Sequence, residues 1–346
     1  MKKVLFVLLA LALCLTATAA FAEKVGVSMP TKDLQRWNQD GANMEAQLTE
    51  AGYEVELQFA SNDPATQLNQ IKTMIGNGAD VLVISAIEGD SLGEALDLAA
   101  ENEIPVIAYD RLLMSSDAVS YYATFDNYMV GTVQGTYVKD TLDLDNAEGP
   151  FNLEITAGDP GDNNAGYFYQ GAIDVLQPYI DEGKLVVPSG QIAFEEVATP
   201  QWKTETAQSR AENILSSFYA DGTNVDVWLC SNDSTALGVE TALAANYSGE
   251  YPIITGQDCD IENTKNMIAG KQSMSVFKDT RTLASQVVKM VGQILNGEEV
   301  DVNATETYDN GVIVVPSYLC EPVFADANNY KELLIDSGYY TEDQLQ

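Results

Sequence analysis

Short apolar runs alternate with longer stretches of helical period along almost the whole chain. The runs are KVGVSM (24–29), EVELQFA (54–60), VLVIS (81–85), PVIAY (105–109), FNLEIT (151–156), KLVVPSG (184–190), VDVWLC (225–230), YPIITG (251–256) and MSVFK (274–278). Between them, the stretch from Asp63 to Asn77 brings Leu68, Ile71, Met74 and Ile75 to one helical face. Asp63-Pro64 supplies a cap followed by a first-turn proline. Strand, helix, strand, repeated, predicts parallel sheets covered on both faces. The units are too many for one sheet, and a break falls at YATFDNYMVG (122–131), where Asp126-Asn127 caps the helix that opens a second series. The expected fold class is therefore α/β, with two doubly wound, parallel-sheet, Rossmann-like domains.

Open sheets of this kind bind ligands beyond the C-terminal ends of their strands. Residues at those places form a coherent set. Arg36 and Trp37 follow the first run; Asp110 and Arg111 follow the fourth, in YDR; Asp162, Asn163 and Asn164 follow FNLEIT, in AGDPGDNNAG. CSND gives Asn232, GQDCD gives Gln257 and Asp258, VFKD gives Lys278, and Trp202 opens a later helix. A sugar hydroxyl both donates and accepts, so a polyol site mixes fixed donors (Arg, Lys, amide NH₂) with fixed acceptors. Tryptophan best covers the apolar C–H face of a pyranose. Taken singly, each residue has a plainer reading: Arg36 as a surface cation, Trp37 as packing, Asp110-Arg111 as a turn with a solvated ion pair, Asp162-Asn163-Asn164 as an N-cap cluster. Asp126 and Asp233 read as caps and Trp228 as core. Recurrence at strand ends in both halves favours a shared site.

Charge and composition narrow the function further. The 346 residues carry 17 Lys plus Arg against 52 Asp plus Glu, a formal charge of −35, and no histidine. Such a surface repels phosphate backbones and anionic lipid. Without histidine, Ser-His and Cys-His catalytic arrangements and most zinc sites are excluded. The acidic run DTLDLDNAEG (140–149) lacks EF-hand alternation, and no phosphate-binding GxxxxGK[ST] loop occurs. No metal or cofactor is expected.

The N-terminus, MKKVLFVLLALALCLTATAAFAEKV, has a dibasic start, an apolar run and a small-residue ending at Ala20-Phe21-Ala22. It reads as a secretory signal over residues 1–22, cleaved near Ala22, which predicts an exported, periplasmic protein. A lipid anchor on Cys14 would want a small residue before it, and Leu13 is not small. Cys230, Cys259 and Cys320 then remain, as one disulfide plus a thiol or as three small buried side chains.

Asp110, Asp162 and Asp258 raise a glycosidase reading, since paired carboxylates hydrolyse glycosides. A general acid there needs a raised pKa, whereas each aspartate has Arg, Lys or Asn beside it, which holds it ionised. Binding without turnover is expected.

The set MPTKDLQRW, VIAYDRL, VSYYATFDN, DNNA, GQD, VFKDTR, NGVIVVPSYL and GYYTEDQL resembles the periplasmic sugar-binding proteins of ABC transporters, of multiple-monosaccharide and xylose type. The resemblance implies the type I periplasmic-binding fold. It places Arg36, Asp110, Arg111, Asp162, Asn164, Asn232, Asp258 and Lys278 where the family hydrogen-bonds sugar, and Trp37 and Trp202 where it stacks rings. It further implies a discontinuous arrangement with hinge crossings near Phe125, Lys278 and Asp309. The lobes would be 23–125 plus 279–308 and 126–278 plus 309–346. The implied partners are a monosaccharide (xylose, arabinose, glucose or galactose) and a membrane permease, with a monomeric protein and no nucleic acid. A chemoreceptor or histidine-kinase ectodomain as recipient is the alternative. The effector domain of a transcription regulator shares this architecture, but this chain begins with an export signal instead of a basic helix-turn-helix.

Overall fold

The computed structural model describes residues 22–346. The signal reading of the N-terminus and Cys14 lie outside the described residues, except for Ala22.

The first sheet is built by β1 (Lys24–Met29), β2 (Glu54–Phe59), β3 (Val81–Ile84), β4 (Val106–Tyr109) and β5 (Val119–Phe125), all in parallel register. Helices α1 (Gln35–Glu50), α2 (Pro64–Gly76) and α3 (Gly93–Glu101) connect the first four strands. Val81–Ile84 and Val106–Tyr109 are buried throughout, as central strands covered on both faces require. Helix α2 starts as its sequence indicates: the Asp63 carboxylate accepts from the Ala65 amide at 3.0 Å, with Pro64 in the first turn.

After Phe125 the chain leaves this sheet through α4 (Asn127–Thr141), capped by the Asp126 carboxylate. A second parallel sheet follows, from β6 (Phe151–Thr156), β7 (Leu185–Val186), β8 (Val227–Cys230) and β9 (Ile253–Ile254), in the order β7-β6-β8-β9. Its helices are α5 (Asn163–Asp181), α6 (Thr204–Phe218), α7 (Asp233–Asn246) and α8 (Ile261–Ile268). Helices α4 and α5 come so close that a Cβ on Gly131 would lie 2.0 Å from the Phe168 carbonyl oxygen, so only glycine fits there. Strand β10 (Met274–Phe277) ends this series, and Lys278-Asp279 leads into α9 (Thr280–Asn296), which packs back on α1.

The tail corrects one expectation. Strand β11 (Ser317–Cys320) pairs with β5 of the first sheet, and β12 (Val323–Asp326) pairs antiparallel with β10. By strand pairing the chain thus stays with the first sheet as far as Cys320, past the Asp309 expected for the third crossing, and joins β10 from Val323. The intervening segment is held by the first sheet: buried Asn310 donates to the carbonyls of Leu113 (3.2 Å) and Ser116 (2.7 Å), and Tyr308 packs edge-on against Tyr122. The β10–β12 pair is also the one antiparallel pairing among the described named strands. No helix among the described residues is long and apolar enough to cross a membrane.

Candidate functional site

Every candidate side chain except Trp202 is delivered by a strand end or the helix start beyond it; Trp202, expected to open a helix, instead closes a 3-10 turn (Pro200–Trp202) two residues before α6. Arg36 and Trp37 occupy the first turn of α1; Asp110 and Arg111 follow β4 directly. From the second sheet, Asp162 caps α5, Asn232 caps α7 and Asp258 follows β9, while Lys278 follows β10 of the β10–β12 pair. Several of these positions are conformationally costly. Asp110 (φ 57°), Trp202 (φ 56°), its neighbour Gln201 (φ 57°), Asp258 (φ 97°) and Cys259 (φ 52°) all lie in the left-handed region. Each such non-glycine residue costs about 1–3 kcal/mol, strain that gathers at functional sites.

Arg36, Trp37, Asp110, Arg111, Asp162, Trp202, Asn232, Asp258 and Lys278 line one cavity of about 440 Å³, open mouth included. The plain surface readings fail here. Arg36 is 4% exposed, and its guanidinium donates to Asp40, to Asp110 at 2.7 Å and to Asp258 at 2.8 Å. Lys278 lies 3.2 Å from the same Asp258 oxygen. Arg111 pairs with Asp162 at 3.1 Å and donates to the carbonyls of Ala86 and Ile87. Asp110-Arg111 is thus not a solvated pair, since each residue takes a different buried partner. Trp37 packs in the first core, and the Arg111 guanidinium sits 4.9 Å from its ring. The Trp202 indole donates to Asp162 at 3.2 Å and lies against Gly158, where a Cβ would be 1.9 Å from the ring.

Electrostatics separates these groups. Burial opposes the Arg36 charge, but Asp110, Asp40 and Asp258 overcome it and hold the guanidinium well above its ordinary pKa. Burial would raise the Asp110 carboxyl as well; Arg36, Lys278 and Arg111 outweigh it and hold it below the usual range. Asp162 shifts the other way, because burial raises its carboxyl above the ordinary value despite Arg111.

Asn164 is the candidate that does not line the cavity. It is 1% exposed; its amide donates to the Asp110 carbonyl at 2.5 Å and its oxygen accepts from Tyr122 at 3.0 Å. It joins the two sheets' loops instead. Trp228 is core, as read, with its indole donating to Thr156. Asp233 is not a cap: Asn232 caps α7, and buried Asp233 accepts from Gln272, Ser275 and the Asp260 amide. Cys230, Cys259 and Cys320 are buried free thiols.

A model of the periplasmic binding protein domain matches residues 25–299. The chain belongs to this periplasmic binding protein family. It is 48% identical to the multiple sugar-binding periplasmic protein SbpA of Azospirillum brasilense, over 93% of this chain and 91% of that one. It is 35% identical to the D-xylose-binding periplasmic protein of Escherichia coli, with 96% of each covered. An ABC transporter solute-binding protein from Clostridium phytofermentans, solved with bound β-D-glucose, superposes with a TM-score of 0.93 at 70% identity, covering 94% of this chain and 100% of that one. The fold is thus the two-lobed type I periplasmic-binding fold.

The binding-protein cavity also has walls that the sequence did not single out. Leu34, Phe168, Ser234 and Asp260 line it, beside Gln257, which the strand-end reading of GQDCD names. Gln257, Asp258 and Asp260 share the loop after β9, so proximity to GQD was the available signal for Asp260. Leu34 and Phe168 read as ordinary core. Asp40, one helical turn beyond Arg36, accepts from both Arg36 and Tyr109 without lining the cavity.

Proposed function

We propose that this chain is an extracytoplasmic solute-binding protein that captures a neutral monosaccharide, an aldopentose or aldohexose, between its two lobes and delivers it to an ABC transporter permease. The observation that carries this reading is the convergence of donors, acceptors and two indoles from both sheets on one cavity. In the proposed arrangement the lobes comprise residues 23–125 plus 279–321 and 126–278 plus 322–346. They meet at Phe125-Asp126, Lys278-Asp279 and Glu321-Pro322. The secretory-type N-terminus fits export to the periplasm, where the named relatives act.

Mechanistically, the first lobe presents Arg36, Trp37, Asp110 and Arg111, and the second presents Asp162, Trp202, Asn232 and Asp258. Lys278 stands at the second crossing. The Arg36–Asp258 and Arg111–Asp162 pairs run between lobes, so separating the lobes breaks both. Sugar hydroxyls suit such a boundary because each one can accept from a guanidinium and donate to a carboxylate. Contacts to both lobes exist together only in the closed form, so ligand binding energy favours closure. Micromolar affinity requires about −8 kcal/mol, which several charge-assisted bonds and two ring faces supply after the costs of association.

Calorimetric titration of the mature protein with β-D-glucose, xylose, arabinose and galactose tests the reading. Saturable heat with at least one aldose is expected. Silence with all four, alongside a normal unfolding transition, would overturn it.

A further inference from the structure

Beneath the cavity, the C-terminal segment reaches back to the helix that carries Arg36. Tyr340 is 4% exposed and packs in a second-lobe cluster with Cys259, Phe277, Ala325 and Leu334. Its hydroxyl donates to the Cys259 carbonyl at 2.9 Å and accepts from the side-chain amides of Gln35 at 2.8 Å and Gln39 at 2.9 Å. One donor and two acceptor positions are all a phenol has, and all are used. The Gln35 amide is spent the same way, because its oxygen accepts from the Ile261 backbone at 3.1 Å.

The position of this knot gives it a role. Gln35 and Gln39 flank Arg36 on α1, on the first lobe. Cys259 lies between Asp258 and Asp260 and Ile261 directly follows them, on the second. Asp258 and Cys259 hold left-handed backbone angles that need outside support. We infer that Tyr340 is a positioning residue for the site, its one hydroxyl and the Gln35 amide together latching the first turn of α1 to the Asp258 loop. The neighbouring Tyr339 reinforces the contact, with its hydroxyl 3.3 Å from the Gln39 oxygen and 3.2 Å from the Thr280 hydroxyl.

Because the bonds run between lobes, the latch forms on closure and breaks on opening. It therefore acts on ligand escape more than on ligand capture. The inference rests on the sugar-binding reading for that consequence, while the latch itself has a readout that needs no sugar.

Tyr340→Phe keeps the ring and removes the hydroxyl. Stopped-flow tryptophan fluorescence with glucose, or whichever aldose binds, is expected to show dissociation faster by on the order of ten-fold, with association within about two-fold of the parent. Gln35→Ala cuts the same knot from the helix side and is expected to match it, which covers a failure of the tyrosine variant to fold. Unchanged dissociation in both variants would overturn the latch. Should no sugar bind the parent protein, the functional reading fails, and amide hydrogen exchange still judges the latch. Faster exchange at residues 259–262 in the variants supports it, and unchanged exchange there refutes it.

Discussion

The Arg36 guanidinium meets the Asp258 carboxylate at 2.8 Å, joining the first helix of one lobe to a strand-end loop of the other. The same guanidinium holds Asp40 and Asp110. Arg36→Ala would leave three carboxylates facing one another with Lys278 as the main remaining cation. Removing one partner from a buried ionic network costs about 3–5 kcal/mol. Urea unfolding is expected to show a loss of that order, and calorimetry to show no sugar binding. Arg36→Lys should recover part of the stability but not the fork geometry.

Gly158 is set against Trp202, with room for a ring and none for a methyl. Gly158→Ala is expected to displace the indole while the second sheet still folds. Overpacking of this kind costs about 1–3 kcal/mol, so sugar affinity should fall roughly ten-fold or more. The ligand-induced change in tryptophan fluorescence should shrink with it. A variant that binds and reports like the parent would remove Trp202 from the ligand's surroundings.

The sequence showed most of this site because doubly wound topology sends strand ends to one edge, so listing the residues after each strand is nearly a list of cavity residues. It failed where that rule gives no help. Strands β11 (SYLC) and β12 (VFAD) are four residues each, bounded by Pro316 and Pro322, and carry no clear period. The sequence reading therefore put the third crossing near Asp309, whereas Asn310 and β11 are held by the first sheet. Asn164 was legible as a strand-end amide, but only the fold could show that it faces Asp110 and Tyr122 instead of the cavity. Leu34 and Phe168 look like any core residue until the lobes are brought together.

Asn164 lends itself to a separation of closure from contact. Asn164→Ala removes bonds to the Asp110 carbonyl and the Tyr122 hydroxyl without removing a cavity wall. Each buried bond is worth about 1 kcal/mol. Affinity for every aldose should therefore drop by a similar factor, on the order of ten-fold, with their ranking preserved. A thermal-shift panel reads this directly, and a changed ranking would place Asn164 against the ligand after all.

The remaining prediction concerns pH, and its sign follows from which groups hold their protons. Burial, helped by Asp258 and opposed by Arg36 and Lys278, pushes Asp260 up to about 7. Burial against the pull of Arg36 pushes Asp40 to about 6. In the unfolded chain both lose their protons near pH 4. Between about pH 4 and 7 the native state keeps protons that the unfolded chain has released. The contribution of these two groups is therefore full below pH 4 and lost as pH rises through 6 and 7. Asp110 has the opposite sign: its lowered carboxyl stabilises the fold above pH 4 and ceases to do so in stronger acid. The Asp260 oxygen Oδ1 is buried without a hydrogen-bond partner, so removing its charge sacrifices little. Asp260→Asn is therefore expected to stabilise the protein at pH 8 by about 1–2 kcal/mol, a value discounted for the partial exposure of the residue, and to leave stability near pH 4 unchanged. Urea unfolding at pH 4, 6 and 8 measures the difference. An equal effect at all three values would mean that Asp260 releases its proton in the folded protein as readily as in the unfolded one.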